Sequence, residues 1–119
     1  MTKPQPFDIP IFHKVYDLYK FVHCLQQLIP KSQRYTLWQK CENNILVLLE
    51  DVVSIRNVQA NKRYPHLLRM SSGVDFLKVL IRLAEETKSI NQKNSLQIQS
   101  SLQEIGKMIG GWIKFVPPS

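Results

Sequence analysis

The amino-acid sequence predicts an all-α domain built as an antiparallel, up-down-up-down four-helix bundle. Three observations lead there. Apolar residues recur at spacings of three and four in four separate segments, prolines and short polar runs interrupt those segments, and no stretch alternates as a half-buried strand does. At 119 residues the chain has room for one core and one domain. We expect a flexible segment over residues 1–10, the bundle over 11–116 and a tail over 117–119.

The first stripe is Ile11, Val15, Leu18, Val22, Leu25 and Ile29, which predicts a helix over about residues 11–28, ended by Pro30. Ser32 stands where it can cap the next helix. The second stripe, Leu37, Cys41, Ile45, Leu48, Val52 and Ile55, extends that helix over about 32–58. A polar stretch from Asn57 to Tyr64 then breaks the pattern before Pro65, a residue tolerated in a first helical turn. Leu67, Met70, Val74, Leu77, Ile81 and Ala84 form the third stripe, on a helix over about 65–88. Gly73 within it lowers helix propensity, and a close packing contact is the expected reason for its presence. Ile98, Leu102, Ile105, Ile109, Trp112 and Val116 make the fourth stripe, on a helix over about 92–115 that Pro117 and Pro118 stop.

Short polar connections between helices of similar length favour antiparallel neighbours with the four stripes meeting in one core. Beside the stripes lie further apolar residues: Phe12, Tyr19, Phe21, Leu46, Leu49, Val53, Phe76, Leu80 and Leu83. They widen the apolar faces beyond the need of a small bundle, so a second interface and self-association are expected.

Sixteen Lys and Arg against nine Asp and Glu give a net charge of +7, which favours polyanionic partners. No run approaches the roughly 20 apolar residues of a membrane span, and the first ten residues lack the apolar core of a signal peptide. A soluble, cytoplasmic protein with no membrane partner is expected. Cys24 and Cys41 form no CxxC pair and sit in apolar helical patterns, which predicts buried free thiols.

Catalytic chemistry finds little support. His13 and His23 lie ten residues apart, about 80° out of phase on one helix, and His66 opens another. Glu85 and Glu86 are adjacent and therefore point apart; balancing Arg82 and Lys88 is their expected role. Asp17 and Glu42 stand among apolar neighbours and call for a partner, Arg34 being the candidate for an ion pair. The glycines fall within the fourth helix and form no phosphate loop, though Gly106 and Gly110 make a small-residue step that permits close approach of a neighbour. No catalytic residue, cofactor or metal is assigned. The basic candidates for a nucleic-acid surface are Lys14, Lys20, Lys31, Arg34, Arg63, Arg69, Lys78, Arg82, Lys107 and Lys114. With no zinc finger or aromatic RNA-binding motif, they would read backbone and shape more than sequence.

Three stretches, Ile11-Phe-His-Lys-Val-Tyr-Asp-Leu-Tyr-Lys, then Pro30-Lys-Ser-Gln-Arg-Tyr-Thr-Leu with Glu42-Asn43, then Glu104-Ile-Gly-Lys-Met-Ile-Gly-Gly-Trp-Ile-Lys114, together resemble the accessory variability determinant (Avd) of diversity-generating retroelements. The resemblance spans about residues 11–114. It implies a bundle protomer assembled as a homopentameric barrel that associates with a reverse transcriptase, its template RNA and cDNA, and supports mutagenic reverse transcription without catalysing it. Arg34, Glu42, Asn43, Gly106, Gly110, Gly111 and Trp112 match the motifs, which implies an oligomer or partner interface there. Trp38 belongs with them as a departure, a bulky indole where the motif has a small residue. The broader family includes proteins encoded within intervening sequences of large-subunit ribosomal RNA genes, so a protein-binding scaffold is the alternative function.

Overall fold

In a computed structural model, which describes residues 9–116, the chain is all-helical. Four long helices carry the fold: α1 (Pro10–Cys24), α3 (Leu37–Ser54), α4 (Arg63–Glu86) and α5 (Gln92–Lys114). A single turn, α2 (Lys31–Arg34), and three 3-10 turns at Leu25–Leu28, Ile55–Asn57 and Ala60–Lys62 complete it. Each long helix packs on two others, α1 on α3 and α5, and α4 on α3 and α5, which closes a four-membered ring. Cross-links fix the directions. Trp38 at the start of α3 reaches Val22 at the end of α1, Arg69 early in α4 reaches Asp51 late in α3, and Lys14 early in α1 reaches Glu104 in the second half of α5. Neighbouring helices are therefore antiparallel, as a four-helix bundle requires.

The core is the four predicted stripes with few changes. Val15, Val22, Cys41, Ile45, Val52, Ile81, Leu102, Ile105 and Ile109 are fully buried, and Trp112 and Val116 pack at the edge of the same cluster. Burial at positions three and four apart is what drives each helix onto its neighbours. Of the flanking apolar residues, Leu80 is buried, and Phe12, Tyr19, Phe21 and Leu49 pack against the core; Leu46, Val53, Phe76 and Leu83 remain exposed.

The helix predicted over 32–58 is three pieces. Thr36 adopts φ −120° and ψ −89°, outside the helical region, and separates α2 from α3. Ser32 is not its cap; Pro30 occupies that position and no side chain caps the turn. The break has two visible holders. Arg34 turns back so that its Nη2 donates to the Ile29 carbonyl at 3.2 Å, and the Trp38 indole Nε1 donates to the Val22 carbonyl at 3.1 Å. The first predicted helix likewise tightens into 3-10 geometry from Leu25 rather than staying α-helical to residue 28.

The third helix begins at Arg63, ahead of Pro65, and ends at Glu86. Beyond it Lys88 takes a positive φ of 63°, so the chain leaves α4 through a left-handed residue that is not glycine. Asn91 opens α5 by accepting the backbone N–H of Asn94 on its side-chain oxygen at 2.8 Å. Gly73 has no close packing contact: a Cβ there would meet nothing within 4 Å. Gly106 does pack within the protomer, against the Val74 Cγ1 at 3.6 Å, whereas Gly110 and Gly111 have open space. At the N-terminal side Pro10 starts α1, one residue ahead of the expected helix start, and Ile9 packs on the core. Residues 1–8 and the predicted 117–119 tail with its proline stop lie outside the described residues.

Candidate nucleic-acid interface

The structure sorts the ten basic candidates by what holds their charge. Two arginines are committed to backbone. Arg34 donates to the carbonyls of Ile29 and Gln27, and its buried Nε has no acceptor among the described residues. Arg63 Nε donates to the Val58 carbonyl at 2.8 Å, and its Nη2 donates to that of Arg56 at 3.4 Å. Both arginines perform one task, closing the carbonyl end of a 3-10 turn onto the next helix.

Three more candidates face carboxylates. Lys14 pairs with Glu104 at 2.5 Å, and this contact holds the Glu104 carboxyl below its ordinary range by hydrogen bonding first and charge second. Lys20 lies 3.9 Å from Asp17 and over the Tyr16 ring at 5.1 Å. Arg69 donates to Asp51 at 3.2 Å and also to the His66 Nδ1.

Lys31, Lys78, Arg82, Lys107 and Lys114 remain, with no carboxylate within 4 Å among the described residues. Lys31 stands apart on α2. The other four share the α4–α5 side of the bundle. Lys78 and Arg82 are one turn apart on α4 and line a depression of about 430 Å³ with Val79, Glu85, Ser95, Leu96 and Gln99. The Gln99 amide crosses between the helices and donates to the Lys78 carbonyl at 3.0 Å. At about 100° per residue, Lys107 and Lys114 project within about 20° of Leu96, so they continue the same side along α5.

The opposite, α1–α3 side differs in chemistry. Phe12 and Tyr16 stack at 5.5 Å and Tyr19 and His23 at 5.7 Å on α1. Beside them, Glu42 of α3 is buried, and its Oε1 meets the His23 Nδ1 at 2.7 Å. Glu42 thus pairs with His23 rather than with the expected Arg34. Asp17, expected among apolar neighbours, is exposed and faces Lys20. Glu85 and Glu86 form no ion pair with Arg82 or Lys88 within 4 Å. Cys24 is exposed, against the expectation of two buried thiols; Cys41 is buried, and its pKa is pushed up to about 12 by burial first and Glu42 second.

The residues expected at an oligomer or partner interface scatter. The Trp38 side chain is wholly inside the protomer, where its indole donates to the Val22 carbonyl. Asn43 is exposed on α3, and Trp112 is half-buried beside Ile9, Leu67 and Phe115 at one end of the bundle. Among the described residues, no group of three or more His, Cys, Asp or Glu side chains is placed to hold a metal ion. None of the described helices is long and apolar enough to cross a membrane.

A family model described as bAvd-like matches residues 10–116. The chain belongs to the bAvd-like family. The matched region takes in all four long helices, so family membership and the observed bundle concern the same residues. Avd-type proteins are accessory and non-catalytic in kind. No curated protein matches the chain.

Helical spacing alone pairs Lys78 with Arg82, one turn apart, and Lys107 with Lys114, seven residues apart, within the ten candidates, but it does not point to Val79, Leu96 and Gln99 beside them. Leu96 had a signal: it is apolar yet two residues off the Ile98–Leu102–Ile105 stripe, and it is 61% exposed.

Proposed function

We propose that the chain is the accessory protein of a diversity-generating retroelement, binding its reverse transcriptase together with template RNA or cDNA to support mutagenic reverse transcription. It acts as a homopentamer in the cytoplasm and holds its partners without performing chemistry. Membership of the bAvd-like family supports this reading. The observation that carries the nucleic-acid part is the row of four cations on the α4–α5 side, Lys78, Arg82, Lys107 and Lys114, none of them neutralised by a carboxylate within the described protomer. Lysines and arginines free of internal partners are available to displace counterions from phosphates, and repeating them around an oligomer multiplies their effect.

The test joins mass and salt dependence. Light scattering gives the assembly state, and titration with template RNA at two salt concentrations gives the slope of affinity against salt. A pentamer whose binding weakens steeply with salt, and whose slope flattens in the Lys78→Glu/Arg82→Glu variant, is the expected result. A protein that ignores RNA and is not retained by the reverse transcriptase overturns the proposal.

A further inference from the structure

We infer that the α4–α5 depression receives an unpaired strand of nucleic acid, its base faces resting on Val79 and Leu96 and its phosphates on Lys78 and Arg82. The inference rests on the nucleic-acid reading above and specifies the form of the ligand. Val79 and Leu96 are 57% and 61% exposed, and both line the depression that the two cations flank. A surface that only tracks phosphates has no use for aliphatic side chains between its cations. A duplex turns its base faces inward and would press its charged backbone onto Val79 and Leu96. An unpaired strand has apolar base faces to offer, and covering the two aliphatics with them removes apolar area from water.

Glu85 lines the same depression and disfavours a phosphate passing directly over it. It does accept hydrogen bonds, which suits the amino groups on base edges. The floor is held in place by Gln99, whose amide is anchored on the Lys78 carbonyl. Lys107 and Lys114 extend the cationic line from Leu96 along α5, a continuation that a polyanionic strand uses at every step. An acidic protein segment would need carboxylates at matching intervals.

The deciding substitution is Leu96→Lys, which adds a cation while removing the apolar contact. Its effect is read by fluorescence anisotropy with a labelled, unstructured single-stranded RNA and a blunt duplex RNA of equal length. Circular dichroism and light scattering confirm that fold and mass are those of the unsubstituted protein. We expect single-strand affinity to fall about fivefold, the loss implied by uncovering part of one exposed leucine, with duplex affinity unchanged or raised. If Leu96→Lys tightens both RNAs alike, the surface is purely electrostatic and the inference is overturned while the nucleic-acid reading stands. If the unsubstituted protein binds neither RNA, both fall. Tighter binding of an acidic amphipathic peptide than of the single strand, abolished in Leu96→Lys, assigns the depression to a protein and also overturns the inference.

Discussion

The buried carboxylate of Glu42 is bound by the half-exposed ring of His23, Oε1 to Nδ1 at 2.7 Å, across the α1–α3 seam. The Tyr19 ring stacks on the same imidazole. His23→Ala leaves the acceptor buried and unmatched, so the bundle should lose about 1–3 kcal/mol of stability by urea unfolding. Adding Glu42→Gln to that variant should recover part of the loss, because a neutral amide is cheaper to bury than a carboxylate. Equal stabilities of His23→Ala and the unsubstituted protein would show the contact to be energetically idle.

Trp38 seals the junction of α1 and α3 while satisfying the Val22 carbonyl. Trp38→Phe removes the indole donor and some volume, and a drop of about 1–3 kcal/mol is expected; Trp38→Ala adds a cavity and should cost about 3–5 kcal/mol. Thermal unfolding monitored by circular dichroism measures both.

Lys88 holds φ 63° just past the end of α4. Glycine takes that conformation without a Cβ clash, so Lys88→Gly should stabilise the fold by about 0.5–1 kcal/mol. A neutral or destabilising result would mean that the lysine side chain makes up for its backbone.

Cys24 and Cys41 should separate cleanly in alkylation followed by mass spectrometry, with Cys24 modified in the native protein and Cys41 only after unfolding. The same burial makes a pH prediction. The Cys41 thiol ionises near 9.0 when unfolded and about 12 when folded. Between those values the native state holds more protons than the unfolded chain, so stability falls as pH rises through that window. Cys41→Ala should flatten that part of the alkaline decline.

Arg34 and Arg63 are predicted to differ from the free cations in kind. Arg34→Ala should lower stability by about 1–2 kcal/mol through its lost carbonyl contacts, yet leave the salt slope of RNA binding unchanged. Lys78→Glu should do the reverse. Matching salt slopes for the two variants would erase the distinction.

The stripes were legible because burial at spacings of three and four leaves a direct trace in sequence, and Ile11 through Ile109 follow it. The interruption at Thr36 was not, since Leu37 resumes the apolar pattern in phase and the evidence for a break lies in tertiary contacts of Arg34 and Trp38. Charge shows the same limit. Lys14 and Lys78 read alike in the chain, and only the approach of Glu104 from α5 tells the neutralised lysine from the free one. Trp38 reads in the sequence as a departure from the family motif, whereas its burial depends on a tertiary contact with the Val22 carbonyl near the end of α1.

Ile9 and Val116, near opposite ends of the chain, line one depression at the end of the bundle. Closing the ring through the α1–α5 contact thus brings the start of α1 beside the end of α5. A short linker between them could join the ends, and the chain could then be reopened near Gln59 and Ala60, between two 3-10 turns, without severing any of the four long helices.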